Sequence, residues 1–286
     1  MLSALTVDVE DYFHTEAMSE VVPRDSWNQM ELRVEKNTYR LLDLFERHGA
    51  HATLFFLGWI AERCPALVAE AVKRGHEVGC HSYWHRRVHE LSPKEFREDT
   101  LRAKGAIESA AGCAIYGYRA PGFSILQGMT WATDILKELG FTYDSSCHPI
   151  RHDHYNNPGA PRLPHLLPSG LLEIPISTWR IGKCNLPAGG GAYLRVLPLV
   201  YMKTGLKRVR SSGERLMIYL HPWEIDPDQP RLGASWKSRL RQYLGLTGME
   251  SRLEWLLRHH SFATVREAFA IPDARGATAP MVHAVM

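Results

Sequence analysis

The sequence predicts an α/β fold in which a parallel sheet is covered by helices, as a barrel or as a doubly wound sheet. Three observations carry this. Short apolar runs alternate with amphipathic stretches through the first half of the chain. Glycines 49, 75 and 140 close three of those stretches, as helix C-termini favour. Polar residues of complementary chemistry recur just after the apolar runs, which is where barrel enzymes build their sites.

The elements follow in order. Residues 4–9 are a strand pattern. Residues 31–48 read as a helix, with Leu41, Leu42, Leu44 and Phe45 on the apolar side. Residues 52–57 form a short, wholly apolar strand. Residues 60–74 read as a helix and 76–80 as the next strand. Ser92-Pro93-Lys94-Glu95 supplies an N-cap, a first-turn proline and a third-position glutamate for a helix running to about 111. A strand at 115–118, a helix at 130–139 and a strand at 141–143 continue the alternation. Residues 147–192 interrupt it. They are rich in His, Pro, Asn and Gly, and an irregular stretch that long is usually functional or disordered. Within it, 171–176 can form a strand. The rhythm resumes with a strand at 215–220, helix over 234–260, a strand at 262–265 and a helix from about 266. The Ala/Pro/Gly-rich stretch after 271 predicts a frayed tail. One domain over 1–286, with an insertion at about 147–192, is the expectation.

Bulk properties narrow the class. The 286 residues carry 45% hydrophobic and 23% charged side chains, ordinary for a globular protein. A net charge of +3 and the lack of a long Lys/Arg run argue against nucleic acid. The five cysteines show no C-x-x-C pair and fit reduced thiols, with Cys80 read as a small buried residue inside a strand. No signal peptide or membrane-length apolar run is visible. A cytoplasmic protein, working in solution or at the inner face of the membrane, is the expectation. The sequence leaves a homo-oligomer open.

Two clusters carry the chemistry. Leu5–Asp11 places Asp8, Glu10 and Asp11 at the end of an apolar strand. Strand alternation puts Asp8 and Glu10 on one side, so one can hold a metal while the other stays free as a base. The second cluster is His81-Ser82-Tyr83-Trp84-His85. Two imidazoles and a carboxylate make a three-ligand set that leaves coordination positions for water and substrate, the pattern of catalytic zinc. Arg119, in Arg119-Ala120-Pro121-Gly122-Phe123, can hold a carboxylate by paired hydrogen bonds. His221 closes Leu216–Leu220 and offers a general acid near neutral pH.

Together, Thr6–Asp11, His81–His85, Arg119–Phe123 and Leu220-His221-Pro222 resemble the motifs of the polysaccharide deacetylase (NodB-homology, carbohydrate esterase family 4) superfamily, in the family's order. The resemblance covers roughly 4–145 and 214–224. More narrowly, Asp8–His14 and Glu173-Ile174-Pro175-Ile176 followed by Pro187–Gly191 resemble deacetylases found with exosortase and exopolysaccharide loci. The resemblance implies a distorted (β/α)7 TIM-like barrel and a hydrolase that removes N-acetyl groups from a glycan substrate, releasing acetate. It implies a divalent metal, zinc foremost. By the same resemblance Asp8 is the base, Arg119 orients it, His221 is the acid, and His81 and His85 bind metal. Val9 stands where the family usually has its metal carboxylate, so Glu10, with Asp11 as the alternative, takes that role. The family's Asp-Trp motif that orients the acid has no clear match; Asp144 is the nearest candidate. Tyr12, Trp84, Phe123 and Trp223 are candidate sugar-stacking residues. Opening of a small cyclic amide and non-catalytic carbohydrate binding are the alternative readings.

Overall fold

A computed structural model describes residues 1–152 and 157–272 of the chain. The predicted frayed tail therefore lies outside the described residues, apart from its first position.

The strands are β1 (Ser3–Val9), β2 (Thr53–Phe56), β3 (Glu77–Cys80), β4 (Gly117–Tyr118), β5 (Tyr143–Asp144), β6 (His165–Leu166), β7 (Leu172–Glu173), β8 (Thr178–Ile181), β9 (Cys184–Pro187), β10 (Met217–Leu220) and β11 (Phe262–Ala263). The helices are α1 (Val34–Arg47), α2 (Gly58–Arg63), α3 (Pro65–Lys73), α4 (Pro93–Ala111), α5 (Thr130–Glu138), α6 (Gly191–Val196), α7 (Leu199–Ser211), α8 (Trp236–Tyr243), α9 (Leu246–His259) and α10 (Val265–Phe269).

Strands run in the order β10-β1-β2-β3-β4-β5-β7, all neighbours parallel, with β6 antiparallel on β7 and β11 beside β1. This is the curled sheet of a distorted (β/α)7 barrel. The seam between β7 and β10 is irregular. Ser177 N donates to Met217 O (3.2 Å), Met217 N donates to Ser177 Oγ (2.8 Å), and Gly190 bridges to Tyr219. A β-carbon on Gly190 would lie 1.8 Å from Tyr219 O. The glycine run there permits a close backbone approach rather than a flexible link.

β1 is buried along its whole length because β10 and β2 flank it. That places Asp8 and Glu10 at the centre of the rim. Helix α4 starts with the expected capping box on Ser92 and Glu95, and Gly112 ends it in the left-handed conformation (φ 68°).

Local chemistry changes the boundaries elsewhere. The predicted helix over 60–74 is two helices, broken at Cys64 because Pro65 cannot continue the preceding turn. The predicted helix over 234–260 is likewise two, divided at Gly245 (φ 79°). The irregular 147–192 stretch contains the β8–β9 hairpin and the start of α6. Helix α7 follows it, where no helix is expected from the sequence. Cys80 ends β3 rather than sitting inside it, and it is fully buried as expected.

Candidate metal centre and acid–base pair

One ligand atom each from Glu10, His81 and His85 lies within 4.8 Å of the others, and all three side chains are buried. His81 leaves the end of β3, and its Nδ1 is 2.8 Å from Arg119 O. That bond fixes the ring, so Nε2 carries the lone pair that faces the cluster. Burial drives the His81 pKa down to about 4, against the pull of the Asp8 carboxylate, so the ring is neutral near pH 7. Glu10 moves the other way. Burial opposes its charge, but His85, His221 and His81 together hold the carboxyl well below its usual range.

The loop between the two histidines is strained. Ser82 (φ 63°) and His85 (φ 51°) are both left-handed, a conformation that costs non-glycine residues roughly 1 kcal/mol or more. Asp99 on α4 holds the loop by accepting from Tyr83 N (2.8 Å) and Trp84 N (3.2 Å). Ser82 Oγ accepts from His85 N (3.0 Å), and Arg24 donates to the carbonyls of Trp84 and His85. This scaffold brings His85 Nε2 to 2.7 Å from Glu10 Oε2. Where Nδ1 holds the ring proton, two lone pairs meet there, and Glu10 Oε2 is a buried atom with no hydrogen-bond partner. A cation relieves both problems, so the donor set fits a divalent metal.

Asp8 stands beside this cluster. Its Oδ1 accepts from Arg119 Nη1 at 2.7 Å. Arg119 is fully buried and is itself held by Thr6 Oγ1 (2.7 Å), Ser145 O (3.1 Å) and Ser145 Oγ (2.9 Å). Asp8 Oδ2 lies 3.9 Å from His221 Nε2, which is also 3.5 Å from Glu10 Oε1. Asp8, Glu10, His81, His85, Arg119 and His221 therefore converge on one rim of the barrel.

Glu224 is the residue that sequence reasoning missed. It is buried, and its Oε2 accepts from His221 N and meets His221 Nδ1, both at 3.0 Å. Its Oε1 accepts from Arg195 Nε at 2.9 Å, and that ion pair is fully buried. Burial alone would lower the His221 pKa; the Glu224 carboxylate leads the groups that raise it to about 9. Asp144 does not fill this role. It sits at the end of β5, where Ser146 Oγ donates to its Oδ1 (2.5 Å). The signal was available in His221-Pro222-Trp223-Glu224, whose spacing is that of a cap followed three residues later by a glutamate.

Asp11 stands outside the ligand cluster. Its carboxylate accepts from Tyr12 N (2.9 Å), Arg33 N (2.7 Å) and Val34 N (2.8 Å), which anchors the start of α1. The aromatic candidates divide. Tyr12 is 1% exposed inside the apolar core, which corrects its reading as a sugar-stacking residue. Phe123 is also buried, its ring 5.1 Å from Tyr219. Trp223 stacks on His221 (5.3 Å) and donates from Nε1 to Glu10 Oε1 (3.2 Å), so it supports the site. Trp84 is partly exposed and adjoins His85.

The chain is similar to known proteins in sequence and in fold. Residues 25–143 match the family described as polysaccharide deacetylase, and residues 145–270 match a domain of unknown function (DUF3473). Residues 25–143 thus carry a polysaccharide deacetylase domain. It is 26% identical over 148 residues to a peptidoglycan-N-acetylglucosamine deacetylase of Bacillus cereus, covering 48% of this chain and 53% of that protein. It is 30% identical over 116 residues to a peptidoglycan deacetylase of Helicobacter pylori, covering 41% and 38%. The chain thus spans about half the length, or less, of these relatives. A crystal structure from Mycobacterium smegmatis, assigned as a candidate polysaccharide deacetylase, superposes with a TM-score of 0.65 at 17% identity. That match covers 100% of this chain and 96% of the other and supports the barrel fold.

Proposed function

We propose that the protein is a metal-dependent amide hydrolase that removes N-acetyl groups from an amino-sugar glycan. The observation that carries this reading is the convergence of an arginine-held carboxylate, a Glu-His-His ligand set and a carboxylate-held histidine on one rim. Glu10, His81 and His85 would hold the metal, zinc being the best match to two imidazoles and one carboxylate. When bound, it supplies Lewis acidity toward the acetamide carbonyl and activates water.

The chain's own residues do the rest. Asp8 accepts the proton of the attacking water through Oδ2, while Arg119 occupies Oδ1 and orients the carboxylate. His221 delivers a proton from Nε2 to the departing amine. Glu224 fixes the Nδ1 side of that ring and favours the imidazolium, and Arg195 keeps Glu224 charged. Acetate and a free amino sugar are the products.

The two matched segments act as one barrel domain in this reading. The first supplies the His pair and Arg119; the second supplies His221 on β10, which pairs directly with β1. The unpaired state of all five cysteines favours a reducing compartment such as the cytoplasm.

The test is acetate release. Zinc-loaded protein incubated with N-acetylated chitooligosaccharides and peptidoglycan fragments should yield acetate and an equal amount of free amine. Ring opening of allantoin-type substrates without acetate release would overturn the substrate class. Sugar binding without turnover, unchanged in Asp8→Asn, would overturn the enzymatic reading.

A further inference from the structure

Helix α8 sits beside the catalytic rim. Trp236 (71% exposed) and Leu240 (51%) lie one turn apart on its outer face, and Leu244 (44%), the residue that caps the helix, extends this apolar stripe. Large side chains this exposed, and aligned, mark an interaction surface rather than incidental exposure. Lys237 and Arg241 border one side of the stripe and Arg239 the other, and all three are exposed.

The surroundings have the same sign. Residues 174–213 and 229–249 together contain eleven Lys and Arg and no Asp or Glu, whereas the rest of the chain carries 23 basic and 31 acidic residues. Part of that charge lies near α8. Arg195 of α6 donates to the carbonyls of Arg241 and Gln242, and also reaches Leu244 O, which ties α6 to the end of α8. From there α7 exposes Val200, Lys203 and Lys207 on one helical face.

We infer that α8 and the adjoining α6–α7 corner form a docking surface for an anionic lipid bilayer. A tryptophan and two leucines flanked by cations suit the interface of such a bilayer, where apolar side chains enter the acyl boundary and Lys/Arg meet the headgroups. The helix is eight residues long, and no described helix is long and apolar enough to cross a membrane, so α8 lies on the surface. Its inner face reaches the catalytic rim. Gln242 Nε2 donates to Tyr12 O (3.1 Å), and Thr15 Oγ1 donates to Gln242 Oε1 (2.9 Å), in the turn after Asp8 and Glu10. Docking would therefore hold the rim about one helix diameter, roughly 10 Å, from the headgroups. This inference goes beyond the hydrolytic reading and does not depend on it.

The experiment is sedimentation of the full chain with vesicles of equimolar phosphatidylglycerol and phosphatidylcholine, beside vesicles of phosphatidylcholine alone. The protein should partition onto the anionic vesicles at low salt and release as salt rises. Trp236→Ser with Leu240→Ser should lower partitioning by about tenfold or more. Lys237→Glu with Arg239→Glu should do the same through charge alone. Both variants should keep the parent's thermal transition and acetate release from soluble oligosaccharides, since neither pair touches the rim. No partitioning onto anionic vesicles overturns the inference, as does partitioning that the two variants leave unchanged. A dimer in light scattering that Leu240→Ser converts to monomer would assign the stripe to a second copy and also overturn it.

Discussion

Two carboxylates hold the two reactive loops of this rim, and they do so differently. In the first matched segment, Asp99 grips the backbone of the His81–His85 loop through two amides. In the second, Glu224 grips the backbone and the ring of His221, and is gripped in turn by Arg195. Asp99 thus acts on position alone, whereas Glu224 acts on position and proton affinity together. In the proposed reaction a metal needs neutral imidazoles at fixed points, and the acid needs an imidazole that stays charged. The pKa directions follow that division, His81 pushed down to about 4 and His221 up to about 9.

The largest effects should come from removing what the first segment supplies. His81→Ala or Glu10→Gln should abolish stoichiometric zinc, read by metal analysis of the purified protein. Acetate release should fall by about a thousandfold or more. A fully active, metal-free His81→Ala protein would dismantle the proposed centre. Asp8→Asn comes next. It should keep zinc while kcat falls by about 10²- to 10⁴-fold, the usual contribution of a general base. Loss of zinc in that variant would mean Asp8 is a ligand instead.

Glu224→Gln isolates the acid side. His221 has its proton affinity raised, so the competent imidazolium is present below its pKa and is lost as pH rises through about 9. Removing the Glu224 charge should move the alkaline limb of the kcat profile to lower pH by about one unit or more. The kcat itself should fall about tenfold to a hundredfold, with zinc content unchanged. An unshifted limb would reduce Glu224 to a scaffold residue. Arg195→Met should be worse for stability than for chemistry. It removes one partner of a fully buried ion pair, which costs about 3–5 kcal/mol, and the thermal midpoint reads it.

The same division explains what could be read from the chain. Alternation along β1 already put Asp8 and Glu10 on one side, and the structure leaves Asp11 facing the amides of α1. The barrel alternation was legible through β5 because each strand before β5 is followed by a helix. Past β5 the signals fade for physical reasons. Among the described residues no helix separates β5 from β6 and β7, so the alternation stops there, and the seam is closed by glycine approach and side-chain bonds. Tyr12 reads like a sugar platform beside the acids, but the chain turns inward there and buries its ring. Glu224 was hidden because its task is usually sought on another element, while here it lies three residues from the histidine it serves.

Asp99→Asn gives the smallest effect and the sharpest contrast. The asparagine keeps one carbonyl oxygen to accept an amide but replaces the other acceptor with a donor, so only one of Tyr83 N and Trp84 N keeps its partner. The left-handed Ser82 and His85 then lose part of what holds them, and the loop relaxes. Outer-shell changes of this kind weaken metal binding by about 10- to 100-fold, and the lower figure fits a variant that retains one bond. Competition with a zinc chelator should register that loss. At saturating zinc, kcat and its alkaline limb should match the parent, because His221 and Glu224 are untouched. A shifted limb in Asp99→Asn would show that the two loops are coupled through the Glu10–His221 contact at 3.5 Å and are not independently held.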